Sequence, residues 1–282
     1  MKLRRAQVAG SFYSGTKASL TSEIEKCFTH RLGPGRLPML AKIGERKVVG
    51  LVCPHAGYMY SGPVAAKSYF ELASDGKPST IVILGPNHTG QGSGVSMMHE
   101  GVWETPLGQV EINRDVADAI SAQSNIIDLD DRAHIYEHSI EVQLPFLQYV
   151  LQSKFDFVPI CMMMQDLETS TEVGKAVGRA LEGKDALVVA SSDMTHYEPA
   201  DVAKRKDRLA IDAILALDDV KLQQTVESHR ITMCGHGPVA STIIASKILN
   251  AKSADLLGYS TSGDITGDNS AVVGYLALSM HK

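Results

Sequence analysis

Apolar residues along this chain fall into two kinds of pattern. Short unbroken runs such as Val48-Val49-Gly50-Leu51-Val52-Cys53, Thr80-Ile81-Val82-Ile83-Leu84 and Ala186-Leu187-Val188-Val189-Ala190 are too brief for helices and rich in β-branched residues. Such runs predict strands buried on both faces of a parallel sheet. Between them, apolar residues recur at helical spacing, as at Ile140, Leu144, Leu147 and Leu151, which predicts a helix over 136–151. Further helices are expected over 17–28, 62–73, 113–122, 168–181, 199–217 and 239–249, with Ser61 and Asn113 as caps and Pro63 in a first turn. Residues 155–162 read as a strand, 93–98 and 108–112 as a short strand pair, and 254–260 and 271–278 as two final strands. Strand and helix alternate throughout. That order predicts an α/β three-layer sandwich with a largely parallel central sheet, undivided over residues 1–282.

Composition narrows the class. A chain of 282 residues, 44% hydrophobic and 21% charged, has the makeup of an ordinary globular protein with a large core. A net charge of −5 argues against a nucleic-acid surface. The densest basic run, Lys204-Arg205-Lys206, reads as a solvated helix face. The longest apolar run, 271–280, is about half of what a membrane span needs. Lys2, Arg4 and Arg5 are followed by no apolar stretch, so no signal peptide and no membrane association are expected. Cys27, Cys53, Cys161 and Cys234 are scattered and form no CxxC, which suits reduced thiols in a cytoplasm.

The candidate chemistry sits where the strands stop. One strand runs through Cys53-Pro54 into His55, another through Gly85-Pro86-Asn87 into His88, and a third through Ser191-Ser192 into Asp193 and His196. In open α/β sheets, ligands occupy the crevice beyond the carboxyl ends of the strands. Imidazoles and a carboxylate delivered there point to a metal site or to acid–base chemistry. Asp193 is expected to orient the His196 ring, leaving His196 as a general acid–base or a further ligand. Cys234 lies just before a helix start, between Met233 and Gly235, where unpaired N–H groups should favour its thiolate as metal ligand or nucleophile. Glu137 and His138 open the predicted 136–151 helix with His134 one turn before and Glu141 one turn after; His138 is expected to back the site rather than to ligate. Met162-Met163-Met164 reads as core filler. The Gly90/Gly92/Gly94 loop lacks the phase of a phosphate cradle, so no nucleotide is expected.

Ala9-Gly10-Ser11-Phe12-Tyr13, Pro54-His55-Ala56-Gly57-Tyr58 with Ser61-Gly62, Gly85-Pro86-Asn87-His88, Glu137-His138-Ser139-Ile140-Glu141, Ser191-Ser192-Asp193 with His196, and Cys234-Gly235 together resemble the Memo family. The resemblance runs from near residue 5 to the C-terminus. It implies the fold of the class III extradiol ring-cleaving dioxygenases, which hold Fe(II) with two histidines and a carboxylate. In Memo-type proteins a cysteine replaces that carboxylate, so the implied ligands are His55, His88 and Cys234. His196 matches the dioxygenase acid–base histidine, with Asp193 beside it; His236 follows Cys234 as a neighbour of the site. Iron or copper is the implied cofactor, and the thiolate's softness admits Zn(II) as well.

Three functions follow. The first is a metal-dependent, oxidoreductase-like protein with O₂ or a small molecule at the metal. The second is a non-catalytic scaffold whose crevice holds a peptide or protein partner. The third is a hydrolase with a Cys234 thiolate, His196 as base and Asp193 as orienter.

Overall fold

The computed structural model describes residues 2–41 and 45–282, and every count below is of those residues. The first half of the chain runs β1 (Leu3–Arg4), α1 (Lys17–Thr29), β2 (Val48–Cys53), α2 (Tyr58–Asp75), β3 (Thr80–Pro86), β4 (Val95–Met97), β5 (Val102–Thr105), β6 (Gly108–Ile112), α3 (Arg114–Ser121) and β7 (Asp128–Leu129). It continues through α4 (Leu144–Leu151), β8 (Asp156–Met162), α5 (Leu167–Leu181), β9 (Ala186–Ser191), β10 (His196–Glu198), α6 (Ala200–Leu215) and α7 (Asp219–Ser228). The last elements are α8 (His236–Ile248), β11 (Ser253–Thr261), α9 (Gly263–Thr266) and β12 (Val272–His281).

All the strands join one sheet, whose centre is the parallel run β6-β8-β3-β9-β2. Antiparallel strands flank it: β5 beside β6, and β12 beside β2, with β10 and β11 also paired to β12. Side chains of the central strands alternate between two apolar layers. Ile81, Ile83, Leu187 and Val189 pack with Leu20, Ile24, Leu72 and Phe146 of α1, α2 and α4. Val82, Leu84, Val188 and Ala190 pack with Val116, Val173, Ile211, Leu222 and Ile243 of α3, α5, α6, α7 and α8. Burial on both faces is why β2, β3 and β9 are apolar almost throughout. The expected three-layer sandwich with a largely parallel sheet is the architecture found. No helix among the described residues is long and apolar enough to cross a membrane.

Three local expectations fail. The predicted helix over 136–151 is regular only in α4, preceded by a 3-10 turn at Glu141–Gln143. The carboxylate of Glu137 accepts the backbone N–H groups of His138 and Ser139, and the Arg4 guanidinium donates to the carbonyls of His134 and Glu137. Those backbone groups are therefore unavailable to a helical ladder, and the regular helix begins with Pro145 in its first turn. Helix α2 starts a turn earlier than expected; Ser61 lies inside it and donates to the Ala56 carbonyl instead of capping. The segments 93–98 and 108–112 do not pair with each other: β4 pairs with β8 and β7, and β6 forms its hairpin with β5.

A buried ion pair ties the chain start to this irregular segment. Arg4 Nη1 lies 2.7 Å from Glu141 Oε2, with side chains 5% and 0% exposed. Glu141 also accepts the N–H groups of Gln7 and Val8 and the hydroxyl of Tyr13. Removing one partner of such a pair strands a buried charge. Glu141→Ala is expected to lower unfolding stability by about 3–5 kcal/mol in denaturant titration. A loss below about 1 kcal/mol would mean that the pair is solvated in solution.

Candidate metal centre

Because β2, β3 and β9 are parallel neighbours in register, their carboxyl ends open on one edge. That edge carries His55, His88 and Asp193 into a cleft of about 670 Å³, which His138 and His196 also line. Nitrogen atoms of His55, His88 and His138 all lie within 4.8 Å of one another. The His88 and His138 rings stack at 4.7 Å, and the edge of His55 meets both. Gly85 makes room for the segment bearing His138: a Cβ at that position would stand 2.6 Å from Ser139 Oγ and 2.8 Å from Ile140.

Hydrogen bonds fix which ring nitrogen is free. Gln143 Nε2 donates to the Pro54 carbonyl and to Ser191 Oγ, while its Oε1 accepts from Tyr69. Ser191 spends its only proton on the Ser139 carbonyl, 2.6 Å away. The serine oxygen can therefore only accept from His55 Nδ1, 2.9 Å away, so Nδ1 carries the hydrogen and Nε2 presents its lone pair. Burial, and then the neighbouring His138 and His88, push the His55 pKa well below its ordinary value, so the ring is neutral.

Glu137 does the same for His88. Its carboxyl is 1% exposed, with Oε1 at 3.0 Å from His88 Nδ1 and Oε2 accepting the His88 backbone N–H. Burial alone would raise its pKa. The hydrogen bond and charge of His88, the charge of His138 and the Ser139 N–H outweigh burial and hold it at about 2. An ionised acceptor fixes Nδ1–H on His88, so that in the neutral ring Nε2 is the nitrogen with the lone pair, the carboxylate–imidazole arrangement typical of metal-ligating histidines. Burial lowers the His138 pKa as well.

Cys234 lies against the His55 ring but outside the three-imidazole group. Its Sγ is 3.2 Å from His55 Nε2 and accepts the Asp193 backbone N–H at 3.3 Å. The loop carrying it is clamped by Gln165, which donates to the Cys234 carbonyl and accepts from Gly237 N, and by Ser192, which accepts from Gly235 N. A Cβ on Gly235 would stand 2.5 Å from the Ser191 carbonyl, so only glycine fits there. The expected thiolate is not favoured: burial, and then the Asp193 charge, push the thiol pKa up, overriding the nearby helix start. With Nδ1 carrying the hydrogen, His55 Nε2 can accept from the Cys234 thiol, for which the Asp193 carbonyl at 3.7 Å is the other acceptor.

Two other expectations need correction. Asp193 does not orient His196. Asp193 Oδ1 accepts the His55 backbone N–H at 2.8 Å, and burial raises its pKa to about 6. The His196 ring is held instead by the Thr232 carbonyl, 2.8 Å from Nδ1, which leaves Nε2 free toward the cleft. His236 turns away to Gln223 Oε1, 2.8 Å distant, because it starts α8 and faces α7. Sequence reading missed Gln143, Ser191, Thr232 and Gln165, which hold the rings and the cysteine loop. Ser191 is legible only as part of the strand exit, and the hydrogen bonds of all four run across the fold between segments distant in sequence, which local patterning does not register. All four cysteines are free thiols.

The Glu137 shift gives a signed pH dependence. A carboxyl held at about 2 against an ordinary 4.5 adds stability that is full above 4.5 and is lost as pH falls toward 2. In metal-free protein, the advantage over Glu137→Gln should be at most about 3 kcal/mol near neutral pH, most of it gone by about pH 3. An advantage that does not change with pH would place the carboxylate outside this hydrogen-bond set.

Comparison with known proteins agrees with the motif reading. Residues 4–279 match the Memo-like protein family. A MEMO1 family protein of Methanothermobacter thermautotrophicus is 55% identical over 98% of this chain and 100% of its own. Another, from Methanocaldococcus jannaschii, is 48% identical over 97% of each chain. The solved structure of the uncharacterized protein JW3007 from Escherichia coli K12 is similar at a TM-score of 0.54 and 12% identity, covering 82% of this chain and 99% of that one, which is a likeness of fold alone. The chain therefore belongs to the Memo family.

Proposed function

We propose that this protein is a metal-dependent redox protein whose His55, His88 and His138 hold one iron(II) or copper ion, with the Cys234 sulfur as a soft neighbour able to join them. The observation that carries this reading is the convergence of three imidazole nitrogens within 4.8 Å, with two tautomers fixed so that lone pairs face the cleft. An all-imidazole set suits iron, copper and zinc, and a thiolate shifts preference toward copper(I), zinc or thiolate-bound iron. Such an ion, when bound, supplies electron transfer or O₂-linked chemistry at its open positions.

The chain's own groups do the rest. His55 and His88 offer preformed donors, so binding requires no ring rotation. The Cys234 proton leaves if its sulfur becomes a ligand, which makes affinity rise with pH. His196, anchored through Nδ1, presents Nε2 as an acid–base group to a small molecule in the cleft. The raised thiol pKa disfavours the cysteine-hydrolase alternative, since the nucleophile would be protonated.

Elemental analysis of purified protein and single variants tests the assignment. Wild type is expected to carry close to one ion per chain, His55→Ala to lose it, and His138→Ala and Cys234→Ala to weaken retention, the former by tenfold or more. Full metal content in His55→Ala refutes the site. Full retention in His138→Ala with loss in Cys234→Ala would instead assign the third position to sulfur.

A further inference from the structure

His196 opens a strained strand. Tyr197, the next residue, has φ +59°, a left-handed conformation costly for an aromatic residue. It is the extra residue of a bulge, since His196 and Glu198 pair with the consecutive Val273 and Val272. A bulge re-aims the side chains of its strand, and a strained residue persists only where its surroundings hold it. Helix α6 grips this bulge on both sides. Lys206 Nζ lies 2.5 Å from Glu198 Oε1, and the next residue, Asp207, reaches the chain just before His196. Asp207 is 0% exposed. Its Oδ1 accepts the Thr195 backbone N–H at 2.9 Å, and its Oδ2 accepts the Tyr259 hydroxyl of β11 at 2.6 Å. Gly274 of β12 makes room for both groups: a Cβ there would overlap Asp207 Oδ2 and stand 3.1 Å from the Tyr259 hydroxyl oxygen. The basic residues around Asp207 on its helix pair elsewhere, Lys204 with Asp264, Arg205 with Asp201, Lys206 with Glu198 and Arg208 with Asp212.

We propose that Asp207 is a positioning residue for His196: by taking the Thr195 N–H it holds the bulge in the conformation that seats the His196 ring on the Thr232 carbonyl with Nε2 toward the cleft. This rests on the reading of His196 as the acid–base group of the cleft and involves no bound ion. A buried carboxylate held by neutral donors alone is costly, and an apolar side chain would fill the same space at less cost to the fold. What the acid adds is an acceptor for the one backbone N–H that immediately precedes the histidine. His196 is itself bonded twice to Thr232, through its backbone N–H to Oγ1 at 2.7 Å and through Nδ1 to the carbonyl at 2.8 Å. Those two bonds need the chain at 195–196 in register with Thr232, and Thr195 is pinned on its other side by its carbonyl, which accepts from Gly274 N at 2.9 Å. With the Asp207 bond gone, the strain at Tyr197 is free to relax through the histidine.

The test reads the His196 ring by long-range nitrogen–proton NMR in metal-free, full-length protein, at a pH where the ring is neutral, with the signal assigned by its absence in His196→Gln. In wild type the hydrogen is expected on Nδ1. Asp207→Asn keeps an oxygen for the Thr195 N–H and should leave that tautomer in place. In Asp207→Ala the ratio of the Nδ1–H to the Nε2–H form should fall about fivefold or more, the worth of one hydrogen bond. Tyr259→Phe removes the other bond to the same carboxylate; it should lower the melting temperature and leave the ratio unchanged. Asp207→Leu, of similar shape and without an acceptor, is read in the same way and replaces Asp207→Ala if the latter does not fold. An unchanged ratio in Asp207→Ala or Asp207→Leu overturns the proposal. So does an equal fall in Asp207→Asn, or a fall in Tyr259→Phe that matches its loss of stability. If neither Asp207→Ala nor Asp207→Leu folds, the acid serves the fold as a whole and the proposal falls. A wild-type ring with hydrogen on Nε2 refutes the acid–base reading of His196 itself, and with it the inference that rests on it.

Discussion

A serine hydroxyl has one proton to give, and Ser191 gives its proton to the Ser139 carbonyl. With Gln143 also donating to that oxygen, His55 has no choice of tautomer: Nδ1 must donate, and Nε2 must face the cleft unprotonated. The constraint is tight because every member is buried, where an unmade hydrogen bond is costly. It also joins three elements, since Ser191 ends β9, His55 follows β2, and Gln143 precedes α4.

The second support is electrostatic. Glu137 stays ionised in a buried position because the His88 ring, three backbone N–H groups and the nearby imidazoles surround it. Its segment is held in turn by Arg4, which is itself neutralised by Glu141. The N-terminal strand therefore acts on the cleft through one guanidinium, although it contributes no side chain to the imidazole group. Cys234 is pinned from the opposite half of the chain by Gln165 and Ser192, so its sulfur stands at hydrogen-bond distance from the ring that the serine orients.

Much of this was legible in the sequence. The apolar runs ending at His55, His88 and Asp193 placed all three residues at one sheet edge, because an all-buried parallel strand has a distinctive composition and its polar exit residue stands out. The role of His138 was not legible. Apolar spacing over 136–151 suggested a helix, but side-chain capture of the backbone by Glu137 and Arg4 broke it, and periodicity does not register such contacts. The Cys234 thiol was misjudged for a related reason: the helix start is visible in sequence, whereas burial against Asp193 is not. His196 and Asp193 are neighbours in sequence, yet strand pairing of β10 with β12 gives the histidine to Thr232.

The account's central claim is that His55 and His88 present free Nε2 lone pairs before any metal arrives. Long-range nitrogen–proton NMR spectra of the histidine rings in metal-free protein at neutral pH report each tautomer directly. The neutral form of each ring should be the tautomer with hydrogen on Nδ1 and none on Nε2. A hydrogen on His55 Nε2, or a ring exchanging freely between tautomers, would contradict it.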